Sequence, residues 1–292
     1  MSARVVAGIG CTHVPSIGAA IDNGKTEQPY WKPLFDGLPP ARQWLADLAP
    51  DVAIVVYNDH ATALSLRMIP TFLLGMADRF APADEGYGPR QVPVVEGHAD
   101  LAWHLAESLI VDEFDLTLAN ELDVDHGLTV PLSITCGQPA AWPFKVIPLA
   151  VNVIQYPPPT GHRCLALGRA IRRAVESYPE GLRVVVYGTG GMSHQLQGER
   201  AGLINREFDN AFIDRLLADP DAQAKVPHLE YLREAGSEGV ELVMWLIMRG
   251  ALGDDVREVF RHYHVPASNT GFGLTIFDAQ PVDAGPADGP RS

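Results

Sequence analysis

The sequence is poor in cysteine. Cys11, Cys136 and Cys164 lie far apart, and no CxxC pair occurs. That spacing argues against a disulfide framework and a thiolate zinc site, and a reducing cytoplasm is the expected setting. Long apolar runs are missing too. No stretch approaches the roughly 18 uninterrupted apolar residues of a membrane span. The opening "MSARVVAGIG" lacks the apolar centre of a secretory signal. Positive charge is also scarce: 22 Lys and Arg against 36 Asp and Glu leave a net charge of −14. A nucleic-acid or anionic-membrane surface needs clustered Lys and Arg, so neither is expected. An anionic substrate would have to be held by local groups against this field.

Nucleotide signatures fail as well. "VVVYGTGGMSHQLQG", from Val184 to Gly198, looks like a strand running into a phosphate loop. No lysine follows its glycines, and Gly188, Gly190 and Gly191 do not fit GxGxxG. Glycines also let backbone approach a flat ligand closely, which leaves His194 to face a substrate.

What remains suits one ordered domain. Of 292 residues, 47% are hydrophobic and 20% charged, with no internal repeat. Short apolar runs predict strands at Arg4–Ile9, Val52–Tyr57, Leu116–Asn120, Val146–Val151, Arg183–Tyr187 and Gly271–Phe277. Amphipathic runs predict helices at Ala41–Leu48, Ala99–Val111, Arg163–Ser177, Leu203–Leu217 and Glu238–Met248, the last with Ser237 as N-cap and Gly250 near its end. The alternation predicts a single α/β domain over residues 1–280, with a central mixed or mostly parallel sheet flanked by helices. Asp22–Pro40, Ala81–Gly97 and Gly188–Ala201 read as long active-site loops. "QYPPPTG" at Gln155–Gly161 reads as a rigid turn, and residues 281–292 as a loose tail.

Four predicted strands are followed by a histidine: His13 in "GCTHVPS", His60 in "YNDHATA", His126 in "DVDHGLTVP" and His194 in "GTGGMSH". Sites in α/β sheets gather beyond the carboxyl ends of strands. Each histidine also has a plain structural reading: a satisfied loop residue, a polar turn, a surface pair with Asp123 or Asp125, or a cap. Their shared position is what favours chemistry. Glu241 joins them from "SEGVELVMWLIMRG". A helix dipole would account for one first-turn glutamate. A second, set against Leu242–Met248, is expected to be buried and to need a cation. Two imidazoles and one carboxylate can hold Fe(II) as a facial triad with open positions. Zinc accepts similar ligands without redox chemistry.

Taken together, "CTHVPSIGAAI", "VYNDHATA", "DVDHGLTVPL", "GTGGMSHQLQGERAGLINREFDNAF", "EAGSEGVELVMWLIMRGA" and "YHVPASNTGFG" resemble the LigB superfamily of class III extradiol dioxygenases. Within it, the likeness is to catalytic (β) subunits of the protocatechuate 4,5-dioxygenase type, and it extends to about Phe277. The resemblance implies Fe(II) on His13, His60 and Glu241, an acid/base His194 and a second active-site His126. It implies substrate contacts at Ser268 and Asn269. It also implies an aromatic diol and O2 as substrates, with 4,5-cleavage of protocatechuate or, alternatively, action on gallate or 3-O-methylgallate. A separate small helical α subunit, in an α2β2-type assembly, is the implied partner. A zinc hydrolase on the same ligands and a non-catalytic metal or ligand sensor are the readings of a different class.

Overall fold

The computed structural model describes residues 2–279, so the predicted tail lies outside the described residues. Eight strands form one mixed sheet. They are β1 (Arg4–Cys11), β2 (Val52–Tyr57), β3 (Phe72–Gly75), β6 (Thr117–Ala119), β7 (Lys145–Val151), β8 (Arg183–Thr189), β9 (Arg257–Ala267) and β10 (Thr270–Asp278). A short pair, β4 (Arg79–Phe80) and β5 (Val95–Glu96), stands apart. The order is β6-β3-β7-β2-β8-β1-β10-β9, and its centre, β7-β2-β8-β1, is parallel.

The central strands are buried on both faces, which is why they read as unbroken apolar runs. Their side chains still divide with period two. Val52, Ile54 and Val56 enter one core, while Ala53, Val55 and Tyr57 enter the other. The first core lies under helices Gly161–Ser177, Val243–Leu252 and Arg206–Ala218. The second lies under Pro15–Asp22, Pro39–Leu48 and His126–Cys136.

Several elements depart from the sequence reading. Helix Pro15–Asp22 carries Pro15 at its first turn, where a missing N–H costs nothing. Helix His126–Cys136 is buried almost all round and contains Pro131, so its sequence offers no charged, solvent-facing stripe. Strand β9 is mostly half-exposed at the sheet edge and carries Pro266, and so reads as a loop. The predicted helix at Leu203 starts at Arg206, because Asn205 caps it by accepting from Phe208 N–H. Ser237 makes no capping bond; its hydroxyl donates to Glu238 instead. Residues Glu238–Leu242 form a tight 3-10 turn, and the α-helix continues from Val243 to Leu252, past Gly250.

That last helix lies across the carboxyl half of the central sheet. Trp245 is fully buried, against Phe212 at 5.9 Å between ring centroids and against Gly10 of β1, where a Cβ would come within 2.2 Å of the indole. Trp245→Ala is expected to cost about 3–5 kcal/mol by emptying this space. Trp245→Phe is expected to cost far less, since the indole N–H has no partner to lose. Urea unfolding measures both; equal losses would show that the volume of Trp245 is not what holds the helix.

Candidate metal centre

The site stands beyond the carboxyl ends of three adjacent strands. β8 lies between β1 and β2. His13 follows β1 and His60 follows β2, so the two histidines reach in from either side of the β8 end. Glu241 arrives from above, on the 3-10 turn. The loop after β8 makes this approach feasible. At Gly190, with φ +120°, a Cβ would sit 2.8 Å from the Cβ of Glu241; at Gly191 it would sit 2.4 Å from the His194 ring. The Gly191 N–H donates to Glu241 Oε2 at 2.8 Å. The glycine loop therefore admits a carboxylate and a histidine, not a phosphate.

Each histidine is held from behind through Nδ1. His13 Nδ1 bonds Thr189 Oγ1 at 3.0 Å, on the last residue of β8. His60 Nδ1 donates to Asp125 Oδ2 at 2.9 Å, and the same oxygen takes the His60 backbone N–H at 2.7 Å. His194 Nδ1 donates to the Met192 carbonyl at 2.9 Å. His126 opens its helix, with Asp125 as N-cap, and its Nδ1 is held by Glu85 of the loop Ala81–Gly97. The remaining Nε2 atoms of His13, His60 and His194 lie 3.3, 3.9 and 3.9 Å from the Glu241 carboxylate. The His126 ring stacks on His60 at 3.9 Å between centroids and stands 5.7 Å from His13, edge to face.

The cluster sets one buried carboxylate among three imidazoles, a donor set that could hold a cation. Glu241 is 2% exposed. Burial alone would raise its pKa, yet the His13, His60 and His194 rings hold it well below the usual carboxylate range. Burial lowers the His13 pKa, with Glu241 offsetting part of that. Burial opposes charge on His60 too, but Asp125 and Glu241 outweigh it and push the pKa up to about 10. A proton on His60 is what the cluster can recruit by itself; a divalent ion would compete for the same Nε2 lone pair. His13 Nε2 is buried with no hydrogen-bond partner. Ligand atoms of His13, His60 and Glu241 lie within 4.8 Å of one another, as do those of His60, Asp125 and His126. His60 Nε2 takes Asn58 Nδ2–H at 3.1 Å; an Nδ1 held from behind, with Nε2 turned toward a shared centre, is what metal-binding histidines show.

All five predicted chemical residues thus meet in one place. Ser268 and Asn269 sit at the exposed tip between β9 and β10, beside Thr270, which bridges to His194. The Ser268 N–H donates to Tyr30 Oη at 2.9 Å. Other histidines serve the fold: His98 caps a helix, and His104, His228 and His262 bond backbone carbonyls. Sequence reading missed Glu85 and Thr189, and it took Asp125 only as a surface partner of His126, not as the acceptor for His60. Only Asp125 left a signal, as an acidic residue directly before a helix.

The family model described as "Catalytic LigB subunit of aromatic ring-opening dioxygenase" matches residues 7–273, and the chain belongs to that family. It is 44% identical over 196 residues to a gallate dioxygenase of Pseudomonas putida, covering 67% of this chain and 57% of that one. It is 34% identical over 154 residues to a 2,3-dihydroxyphenylpropionate/2,3-dihydroxicinnamic acid 1,2-dioxygenase of Mycolicibacterium vanbaalenii, covering 53% and 46%. The chain thus spans about half the length of the curated relatives it matches. A solved structure of an uncharacterized Escherichia coli K12 protein superposes with TM-score 0.52 at 13% identity, over 93% of this chain and 99% of that one, which shows a shared fold.

Asp125→Asn is expected to weaken metal binding roughly 10–100-fold, because the carboxylate that orients His60 loses its charge. Titration of the metal-free protein with Fe(II) under anaerobic conditions, or with Zn(II), measures this. Unaltered affinity would make Asp125 a helix cap and no more.

Proposed function

We propose that this chain carries the catalytic centre of an Fe(II)-dependent extradiol dioxygenase that opens the ring of a carboxylated aromatic diol. The convergence of His13 Nε2, His60 Nε2 and the Glu241 carboxylate, each imidazole anchored from behind, carries this reading. Fe(II) held there would bind both oxygens of the diol and let the ring pass electron density to O2. Membership of a ring-opening dioxygenase family favours iron over zinc hydrolysis on the same ligands.

The chain's own residues supply proton transfer and geometry. The Met192 carbonyl can only accept, so His194 carries its neutral proton on Nδ1 and leaves Nε2 as a base facing the centre. His194 takes a proton from one substrate hydroxyl and returns it as the ring opens. His126, fixed by Glu85, presents a second imidazole to the same space. Ser268 and Asn269 meet the polar end of the substrate. Gallate is the first substrate to test, on the strength of the 44% identical relative, with protocatechuate 4,5-cleavage and 3-O-methylgallate as its neighbours.

A small helical α subunit is the proposed partner, in an α2β2-type assembly. Its support is an apolar rim beside the site: Leu66, Met68 and Tyr87 are 74%, 58% and 100% exposed, on loops that also carry His60 and Glu85. Among the described residues no helix is long and apolar enough to cross a membrane. The three cysteines are free thiols, and a cytoplasmic setting would keep them and Fe(II) reduced.

Oxygen uptake with gallate, protocatechuate, 3-O-methylgallate and plain catechol tests the reading, with Fe(II) or Zn(II) and with or without a candidate α chain. Uptake with Fe(II) alone, together with a coloured ring-opened product, is expected. Its absence across the panel would reject the dioxygenase reading. His194→Phe should keep its iron and lose about 10²–10⁴-fold in turnover. Glu241→Ala should lose the iron itself, as read by metal analysis.

A further inference from the structure

Asp209 is fully buried on helix Arg206–Ala218, away from the ligand cluster. Its carboxylate accepts three hydrogen bonds. The Ser193 N–H reaches Oδ1 at 2.8 Å, and the Ser193 hydroxyl reaches Oδ2 at 2.7 Å. Tyr263 Oη donates to the same Oδ2 at 2.6 Å from β9. Ser193 Oγ accepts in turn from the Asn205 N–H at 2.7 Å, and the Ser193 carbonyl from the Gly271 N–H at 3.0 Å. Every polar atom of Ser193 is therefore engaged.

The Ser193 N–H and the Met192 carbonyl belong to one peptide unit. Asp209 holds the N–H end of that unit, and His194 Nδ1 donates to the carbonyl end. We infer that Asp209 is a positioning residue for His194, acting through the Met192–Ser193 peptide to fix the Nδ1–H tautomer and aim Nε2 at the centre. A negative charge on the N–H side polarises the peptide and strengthens its carbonyl as an acceptor. The following peptide is pinned as well, its Ser193 carbonyl by the Gly271 N–H at 3.0 Å and its His194 N–H to the Ala235 carbonyl at 2.7 Å, so the backbone on the His194 side of the Met192–Ser193 unit cannot turn with it. A peptide here stands between acid and imidazole, where direct contact joins the Asp125–His60 and Glu85–His126 pairs.

The role of His194 as base rests on the function proposed above; its tautomer does not. Nitrogen NMR of the metal-free and Zn(II)-loaded protein, labelled at histidine and assigned with His194→Phe, reads the tautomer directly. Wild type and Tyr263→Phe should both show the Nδ1–H form at His194, since Tyr263 binds Oδ2 and leaves the Ser193 N–H on Oδ1 of Asp209. Asp209→Ala should show a tautomer mixture. Asp209→Asn keeps the volume without the charge and should move the hydrogen-bonded Nδ1 proton upfield; it decides the matter if the alanine variant does not fold. With Fe(II) and an active diol, Asp209→Ala should lower kcat roughly tenfold or more at unchanged KM and iron content, and Tyr263→Phe by about twofold or less. A wild-type His194 spectrum in both Asp209 variants would overturn the inference. Lack of oxygen uptake by the wild-type protein would instead reject the dioxygenase reading and leave the tautomer result standing.

Discussion

Glu241 is the constraint around which the rest is arranged. A carboxylate this buried has lost its water and must find compensation in fixed donors and positive charge. It takes one backbone N–H from Gly191 and one side-chain amide from Asn58, at 2.8 and 3.4 Å. Neither supplies a full charge. The neighbouring imidazoles can supply one only by protonation, which burial opposes at His13 and which Asp125 and Glu241 favour at His60. A resident cation would satisfy the carboxylate and leave the imidazoles neutral, as ligands must be.

That demand shapes the fold around it. The strand order inserts β8 between β1 and β2, which separates His13 from His60 by one strand and leaves the β8 loop facing Glu241. The loop must be glycine there, because side chains would meet Glu241 and His194. The last helix presses into the sheet behind the site: all its residues from Val243 to Leu252 are buried, and its one charged side chain, Arg249, donates to the Leu216 and Gly253 carbonyls. The packing that stabilises the domain and the packing that delivers the carboxylate are the same packing.

An outer layer of acceptors then gives each imidazole a direction. Thr189, Asp125, Glu85 and the Met192 carbonyl bind the four Nδ1 atoms. Asp125 also caps the helix that starts at His126. One side chain thereby fixes two histidines, and Asp209 extends the layer by one peptide. Preorganisation of this kind lets a site hold an ion and a proton carrier at defined positions without reorganising during reaction.

The sequence by itself determined the α/β class, most central strands, and the candidacy of His13, His60, His126, His194 and Glu241. Strand runs bounded by turns are local signals, and so is a histidine just past a strand end. It was silent on β9, a half-exposed edge strand, and on helix His126–Cys136, which is buried nearly all round and so lacks an exposed polar face. It was also silent on the outer partners. Thr189 is 176 residues from His13, Asp125 is 65 from His60, and Glu85 is 41 from His126. Such pairings exist only once the sheet has set its strand order. Convergence of the five side chains and the partner behind each imidazole are therefore decided by tertiary structure, because they depend on distances that no local pattern encodes.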